Sequence, residues 1–149
     1  MEKSMIDKSA AETSAQDKYL FSLPMKVRDY EVDSQGIVNN AVYLHYMEHT
    51  RHEFCQWAGT TFRDMQQEGI DPVLREVHIT YLSPLRLGEE FVSRLNLRRD
   101  GARFVFDQEI VHHPSGTPAA RAEVTVVTLQ NGRLTKGERL AEAFAEYLK

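Results

Sequence analysis

Between residues 40 and 57 the chain holds one uninterrupted helical period with a heavy apolar side, NAVYLHYMEHTRHEFCQW. Val42, Tyr46, Thr50, Phe54 and Trp57 or Ala58 recur three or four residues apart, and Tyr43 and Met47 fill the same face. Arg51, His52, Glu53 and Gln56 lie mostly off that stripe. A helix of this length runs roughly 27 Å, enough to cross a small domain. A stripe so broad and aromatic needs a large partner surface along its whole length.

The rest of the chain supplies that surface in strands. Residues 19–30 contain the first β-type run, with Pro24 placing at least its beginning at an edge or a bulge. Gly59 stops the long helix as a left-handed C-terminal residue does, and Thr60 or Thr61 then caps a short helix over 62–68, ended by Gly69. From Pro72 the period becomes two: Val73, Arg75, Val77, Ile79 and Tyr81 alternate with Leu74, Glu76, His78, Thr80 and Leu82. Pro84 and Gly88 break that run. Phe91, Ser93, Leu95 and Leu97 then alternate with Val92, Arg94, Asn96 and Arg98, and Asp100-Gly101 signals a hairpin. Further strands are expected over 104–112 and 119–129, the last ending at Asn131-Gly132. Leu140, Phe144 and Leu148 stand four apart and predict a short C-terminal helix over 138–148.

Strands and helices do not alternate beyond the first pair, which argues against a parallel sheet. The expected fold is α+β: an antiparallel five-stranded sheet wrapped around one long central helix. A length of 149 residues suits one domain, expected over 19–149. Residues 1–18 are polar and read as a flexible N-terminal tail.

A net charge of −4 gives no reason to expect nucleic acid or an anionic membrane surface as partner. No apolar run reaches the roughly 20 residues of a membrane span, and the N-terminus lacks the apolar core of a secretory signal. The cytoplasm is the expected location. Cys55 is the single cysteine, which excludes an intrachain disulfide, and its place in the helix pattern reads as a buried inert thiol.

The loop DSQGIVNN, residues 33–40, is where chemistry is expected. Asp33 precedes the helix start by about seven residues, and Gly36 lets the backbone turn sharply or approach a ligand closely. A helix start offers free N–H groups and a partial positive charge, suited to the oxygen that turns negative when a carbonyl is attacked. A carboxylate there can attack the carbonyl itself or deprotonate a water that does. The plainer alternative is that Asp33 forms a local turn and Asn39 or Asn40 caps the helix. His45 and His49 form an i, i+4 pair read as surface, without a third metal ligand, and His112-His113 reads as a solvated corner. Arg86, Arg98, Arg99 and Arg103 are candidates for phosphate contacts or simply solvated faces.

The string VRDYEVDSQGIVNNAVYLHYMEHTRHEF resembles the 4-hydroxybenzoyl-CoA thioesterase family, whose signature is D-x-x-G-[IV]-V and whose fold is the hotdog. It is similar above all to the plant acyl-acyl carrier protein thioesterases, and also to the small bacterial acyl-CoA thioesterases. The likeness is densest over 27–58 and continues more weakly through REVHITYLSPLRLGEEF. It implies a thioesterase acting on an acyl-CoA or acyl carrier protein thioester, with no metal or other cofactor, assembled as a homodimer or homotetramer. It implies that Asp33 is the catalytic carboxylate, as nucleophile or base, and that the Asn40 backbone N–H polarises the thioester carbonyl. Gly36, Val38, Asn39 and Tyr43 would bind substrate, Tyr43 matching a tyrosine that many members carry three residues beyond Asn40. Several bacterial relatives have histidine where Asn40 stands, which weighs against a histidine-assisted mechanism here, whereas Asn39-Asn40 matches the plant members. Glu48 sits where some branches carry a helix carboxylate; the plainer reading pairs it with Arg51 or His52. Two other activities fit the fold: a dehydratase of 3-hydroxyacyl thioesters, which needs a histidine that the 31–40 loop lacks, and a non-catalytic acyl-thioester binding module.

Overall fold

The computed structural model of the chain describes residues 18–148, so the expected tail lies outside the described residues except for Lys18. The strands are β1 (Phe21–Lys26), β2 (Ile70–Tyr81), β3 (Glu90–Asp100), β4 (Arg103–His112), β5 (Pro118–Gln130) and β6 (Arg133–Leu134). The helices are α1 (Asn40–Trp57), α2 (Phe62–Gln67) and α3 (Glu138–Ala143), with 3-10 turns at Asp29–Glu31 and Ala145–Tyr147. The five main strands form one curled antiparallel sheet in the order β1-β3-β4-β5-β2, and α1 packs against one face of it.

The strand patterns explain which face meets the helix. Phe91, Ser93, Leu95 and Leu97 of β3 are all buried, as the alternation predicts, and Ser93 Oγ lies 2.7 Å from Thr50 Oγ1 of α1. Phe104, Phe106, Gln108 and Ile110 of β4 continue that face. The opposite face mixes charged residues with Val105 and Val111, and there Glu109 is held between Arg94 and Arg121. Burial alone would raise the Glu109 carboxyl, but the hydrogen bonds from Arg94 and Arg121 outweigh it and hold it below the usual carboxylate range.

Three expectations are corrected, and the five-stranded sheet gains a short extra strand. Arg51, placed mostly off the apolar stripe, is buried with Met47, Phe54 and Cys55. The alternation of β2 is broken by a bulge between Leu74 and Glu76, so Val73 and Arg75 do not share a face with Val77, Ile79 and Tyr81. The extra residue shifts the phase of the strand by one. Asn131 and Gly132 both take positive φ, 53° and 82°, the pattern of a two-residue hairpin turn, and so add β6 beyond the five expected strands. The terminal helix stops at Ala143 because Phe144 leaves helical dihedrals (φ −111°, ψ 18°). The 3-10 turn that follows brings Tyr147 to 5.7 Å from the Phe54 ring and 5.3 Å from the Trp57 ring, between ring centres.

Candidate active site

The segment before α1 folds as a small hairpin whose geometry is set by short-range bonds. Val32 and Val38 form an antiparallel bridge, Asp33 N–H donates to Ile37 O (2.8 Å), and Gly36 N–H donates to Asp33 O (2.9 Å). Gly36 has φ 81°, a conformation that favours glycine, and a side chain there would meet nothing within 4 Å. The Asp33 side chain is exposed. Its Oδ1 accepts from Gln35 N–H (2.8 Å) and, at 3.4 Å, from Ile37 N–H. The local turn therefore exists, and it fixes the direction of the carboxylate while Oδ2 has no hydrogen-bond partner among the described residues.

The helix start can be accounted for amide by amide. Asn39 is the cap: its Oδ1 accepts from Ala41 N–H (2.9 Å) and its carbonyl from Val42 N–H (2.9 Å). Asn39 N–H itself donates to Glu31 O (3.0 Å). Asn40 N–H is left, the first helical amide, with no acceptor among the described residues.

Several buried groups hold this arrangement. Val38 N–H donates to Leu85 O (2.9 Å), Leu85 N–H donates to the Tyr43 hydroxyl (3.0 Å), and Ile37 bridges Arg86. Tyr43 is buried and its hydroxyl is raised above the ordinary tyrosine range, chiefly by burial, with the Leu85 amide offsetting part. The Tyr81 hydroxyl, at the end of β2, donates to the Asn40 carbonyl (3.0 Å), and its ring packs edge-on against Tyr43 at 5.3 Å. Beneath the loop, buried Glu31 accepts from the Tyr46 hydroxyl (2.7 Å) and from Arg28 N–H (2.8 Å). Burial, and then the bond to Glu31, push the Tyr46 hydroxyl well up.

The structure thus gathers Asp33, Gly36, Val38, Asn39, Asn40 and Tyr43 around one hairpin and one helix start. Tyr81, Leu85 and Glu31 belong to the same assembly and carry no local motif; only the exposed aromatic position at the end of an alternating run marks Tyr81 in the sequence. Arg98 is spent on Asp107 and Glu123, Arg99 on Gly101 O, Lys136 O and Glu138, and Arg103 lies 4.0 Å from Glu76. Arg86 stands beside the hairpin, and its guanidinium forms no ion pair among the described residues. Glu48 lies 4.0 Å from His52, both half-exposed, and His45 and His49 are exposed.

His112 is not the solvated corner expected. Its Nε2 lies 3.0 Å from Ser83 Oγ and its Nδ1 3.7 Å from Glu89 Oε1. The order Ser-His-Glu suggests a nucleophile, but Ser83 gives its proton to Pro118 O (2.7 Å) and so accepts from the histidine. The group braces the turn that carries Leu85, and Glu89 also accepts from Arg86 N–H (2.9 Å). Cys55 is buried, and burial pushes its thiol up to about 12, as expected for an inert one.

The chain is similar to known thioesterases. A chloroplastic acyl-acyl carrier protein thioesterase of Arabidopsis thaliana, ATL3, is 39% identical over 108 residues, 72% of this chain and 57% of that protein. The chain therefore spans little more than half the length of this plant relative. The acyl-CoA thioester hydrolase YbgC of Shigella flexneri is 30% identical over 110 residues, 72% of this chain and 81% of that protein. Among solved structures, the 1,4-dihydroxy-2-naphthoyl-CoA thioesterase Slr0204 of Synechocystis superposes with a TM-score of 0.78 at 18% identity, covering 85% of this chain and 96% of that one. It shares the hotdog fold. With its sequence matching the family over residues 27–148, the chain belongs to the thioesterase-like superfamily.

Proposed function

We propose that residues 19–149 form a single-domain acyl thioesterase that hydrolyses an acyl-CoA or acyl-acyl carrier protein thioester to free acid and thiol. The observation that carries this reading is the unspent Asn40 N–H at the start of α1, directly after a hairpin that fixes a carboxylate. The thioester oxygen accepts from that amide as negative charge develops. Asp33 Oδ2 takes a proton from water, the hydroxide adds to the carbonyl carbon, and collapse expels the thiolate, which is then protonated. Attack by the carboxylate itself, followed by hydrolysis of the anhydride, uses the same geometry. Gly36 leaves room for the thioester to approach. Val38, Asn39 and Tyr43 serve substrate binding by fixing the amide, and Arg86 is the arginine placed to meet a carrier phosphate.

The site is completed by a second copy. Among the described residues β2 pairs only with β5, so its outer edge of 12 residues is open to a further strand, with Leu74 and Tyr81 exposed. Pairing of two such edges gives a homodimer, or a homotetramer built of two, and light scattering of the purified protein reads which. The cytoplasm suits a carrier-borne thioester, and no described helix is long and apolar enough to cross a membrane.

The test offers the protein a panel of acyl-CoA and acyl carrier protein thioesters while free thiol is monitored. Asp33→Asn is expected to lose at least roughly 100-fold in kcat with unchanged thermal stability. Undiminished turnover by that variant would remove the role assigned to Asp33, and tight binding without thiol release would favour a binding module instead.

A further inference from the structure

The turn between β2 and β3, residues 82–89, is tied down by its backbone. Leu82 and Ser83 N–H donate to Ala119 O (2.8 and 3.2 Å), and Glu89 N–H donates to Arg86 O (3.0 Å). Gly88 N–H donates to Val27 O (3.3 Å), and Val27 N–H donates to Glu89 O (2.9 Å). His112, the last residue of β4, adds a second set of ties, and its side chain is only 20% exposed. Ser83 Oγ donates to Pro118 O (2.7 Å), so His112 Nε2 donates to Ser83 Oγ (3.0 Å), near the start of the turn. Nδ1 of the same ring faces Glu89 Oε1 (3.7 Å), at its end. That oxygen also accepts from Arg86 N–H (2.9 Å). One rigid ring therefore spans the turn.

Both arms of this clamp lead to the carboxylate hairpin. Two residues beyond Ser83, the Leu85 carbonyl accepts from Val38 N–H (2.9 Å) and the Leu85 N–H donates to the Tyr43 hydroxyl (3.0 Å). From Glu89 the path runs through Arg86 N–H to the bridge between Arg86 and Ile37. Ile37 in turn holds Asp33 twice: its carbonyl accepts from Asp33 N–H (2.8 Å), and its N–H donates to Asp33 Oδ1 (3.4 Å). The arms end on residues 37 and 38, directly before Asn39 and Asn40. A displacement of the turn is passed through these bonds to the carboxylate and to the helix start, and a misplacement of roughly 1 Å at reacting groups can cost about 100-fold in rate.

We propose that His112 is a positioning residue for thioester hydrolysis: by spanning Ser83 and Glu89 it sets where the turn meets the hairpin, and so where Asp33 stands relative to Asn40 N–H. The inference rests on the thioesterase reading. His112 acts on these groups only through the turn, so its loss is read in kcat and not in KM.

The experiment follows thiol release from straight-chain acyl-CoAs and acyl carrier protein thioesters by the full-length chain. His112→Ala is expected to lower kcat roughly tenfold with KM unchanged, and Tm by no more than roughly 5 °C. His112→Gln, whose amide can donate to Ser83 as Nε2 does, is expected to recover part of the rate. In amide spectra of His112→Ala, the Ile37, Val38 and Leu85 N–H signals are expected to shift while those of Gly59 and Thr60 stay. Wild-type kcat in His112→Ala, a rate that falls only in step with the folded fraction, or unmoved signals at 37, 38 and 85 overturns the role of His112 and leaves the thioesterase reading standing. Thiol release by the wild type from no thioester in the panel sinks both. Should the alanine variant not fold, His112→Gln decides, since it gives up the Glu89 arm: wild-type kcat with an unmoved Ile37 signal overturns the role.

Discussion

The two ends of α1 are finished in different ways. At the C-terminal end three carbonyls in a row are answered: Ala58 N–H donates to Phe54 O (2.8 Å), Thr60 N–H to Cys55 O (3.0 Å) and Gly59 N–H to Gln56 O (3.1 Å), with Gly59 at φ 99°. This is the Schellman closure, and it sits beside a dense aromatic cluster. Phe54 alone has ring neighbours in Phe21, Phe106, Phe144, Trp57 and Tyr147, at centre distances from 5.4 to 6.3 Å. The N-terminal end is just as firmly held, by Asn39, Tyr81 and the Leu85–Tyr43 pair, yet all of these bonds stop short of Asn40 N–H. Rigidity is common to both ends, and only one leaves a donor unspent.

That contrast breaks apart most visibly at Phe54. Phe54→Ala removes a fully buried ring from the cluster and is expected to lower stability by about 3–5 kcal/mol, read by urea denaturation. Because the cavity lies at the far end of the helix from Asn40, kcat per folded molecule should stay at the wild-type value at low temperature. A parallel fall in kcat would mean that the two ends are not separable.

Tyr81→Phe attacks the other end. It deletes one hydrogen bond from a residue 43% exposed, so the stability change should stay within about 1.5 kcal/mol. The Asn40 peptide loses its tether to β2, and kcat is expected to fall roughly tenfold with little change in KM. An unaltered kcat would show that the tether does not hold the proposed oxyanion amide.

The C-terminal end was largely legible from residue order, and the N-terminal end only in part. Gly59 after an apolar run, the stripe ending in Phe54 and Trp57, and Thr61 ahead of 62–67 are local signals, and the structure follows them. Asn39 as cap and Asp33 as a turn residue were legible for the same reason. Tyr81 and Leu85 were not, since their roles depend on where the end of β2 and the following turn meet α1, contacts spanning about forty residues. Arg51 was missed because a charged side chain on a helix is read toward solvent, and nothing in the period marks one that turns inward. The bulge at 74–76 left no trace either, because one additional residue in a twelve-residue strand does not erase the alternation on either side of it.

The finest test of the contrast matches two caps of similar energetic weight. Asn39→Ala removes the side-chain acceptor of Ala41 N–H and should cost about 1 kcal/mol. Gly59→Ala meets no steric neighbour, so its cost comes from holding an alanine at positive φ, about 1–2 kcal/mol. By thermal melting the two variants should look alike. By turnover they should not: Asn39→Ala frees the backbone beside the proposed oxyanion amide and is expected to lower kcat, whereas Gly59→Ala perturbs the end to which no chemistry is assigned. If both lost activity in proportion to stability, the helix would be acting as one rigid body whose overall integrity limits the rate. If neither did, Asn40 would be held by the Tyr81 and Leu85 contacts alone, and the cap would be only a cap.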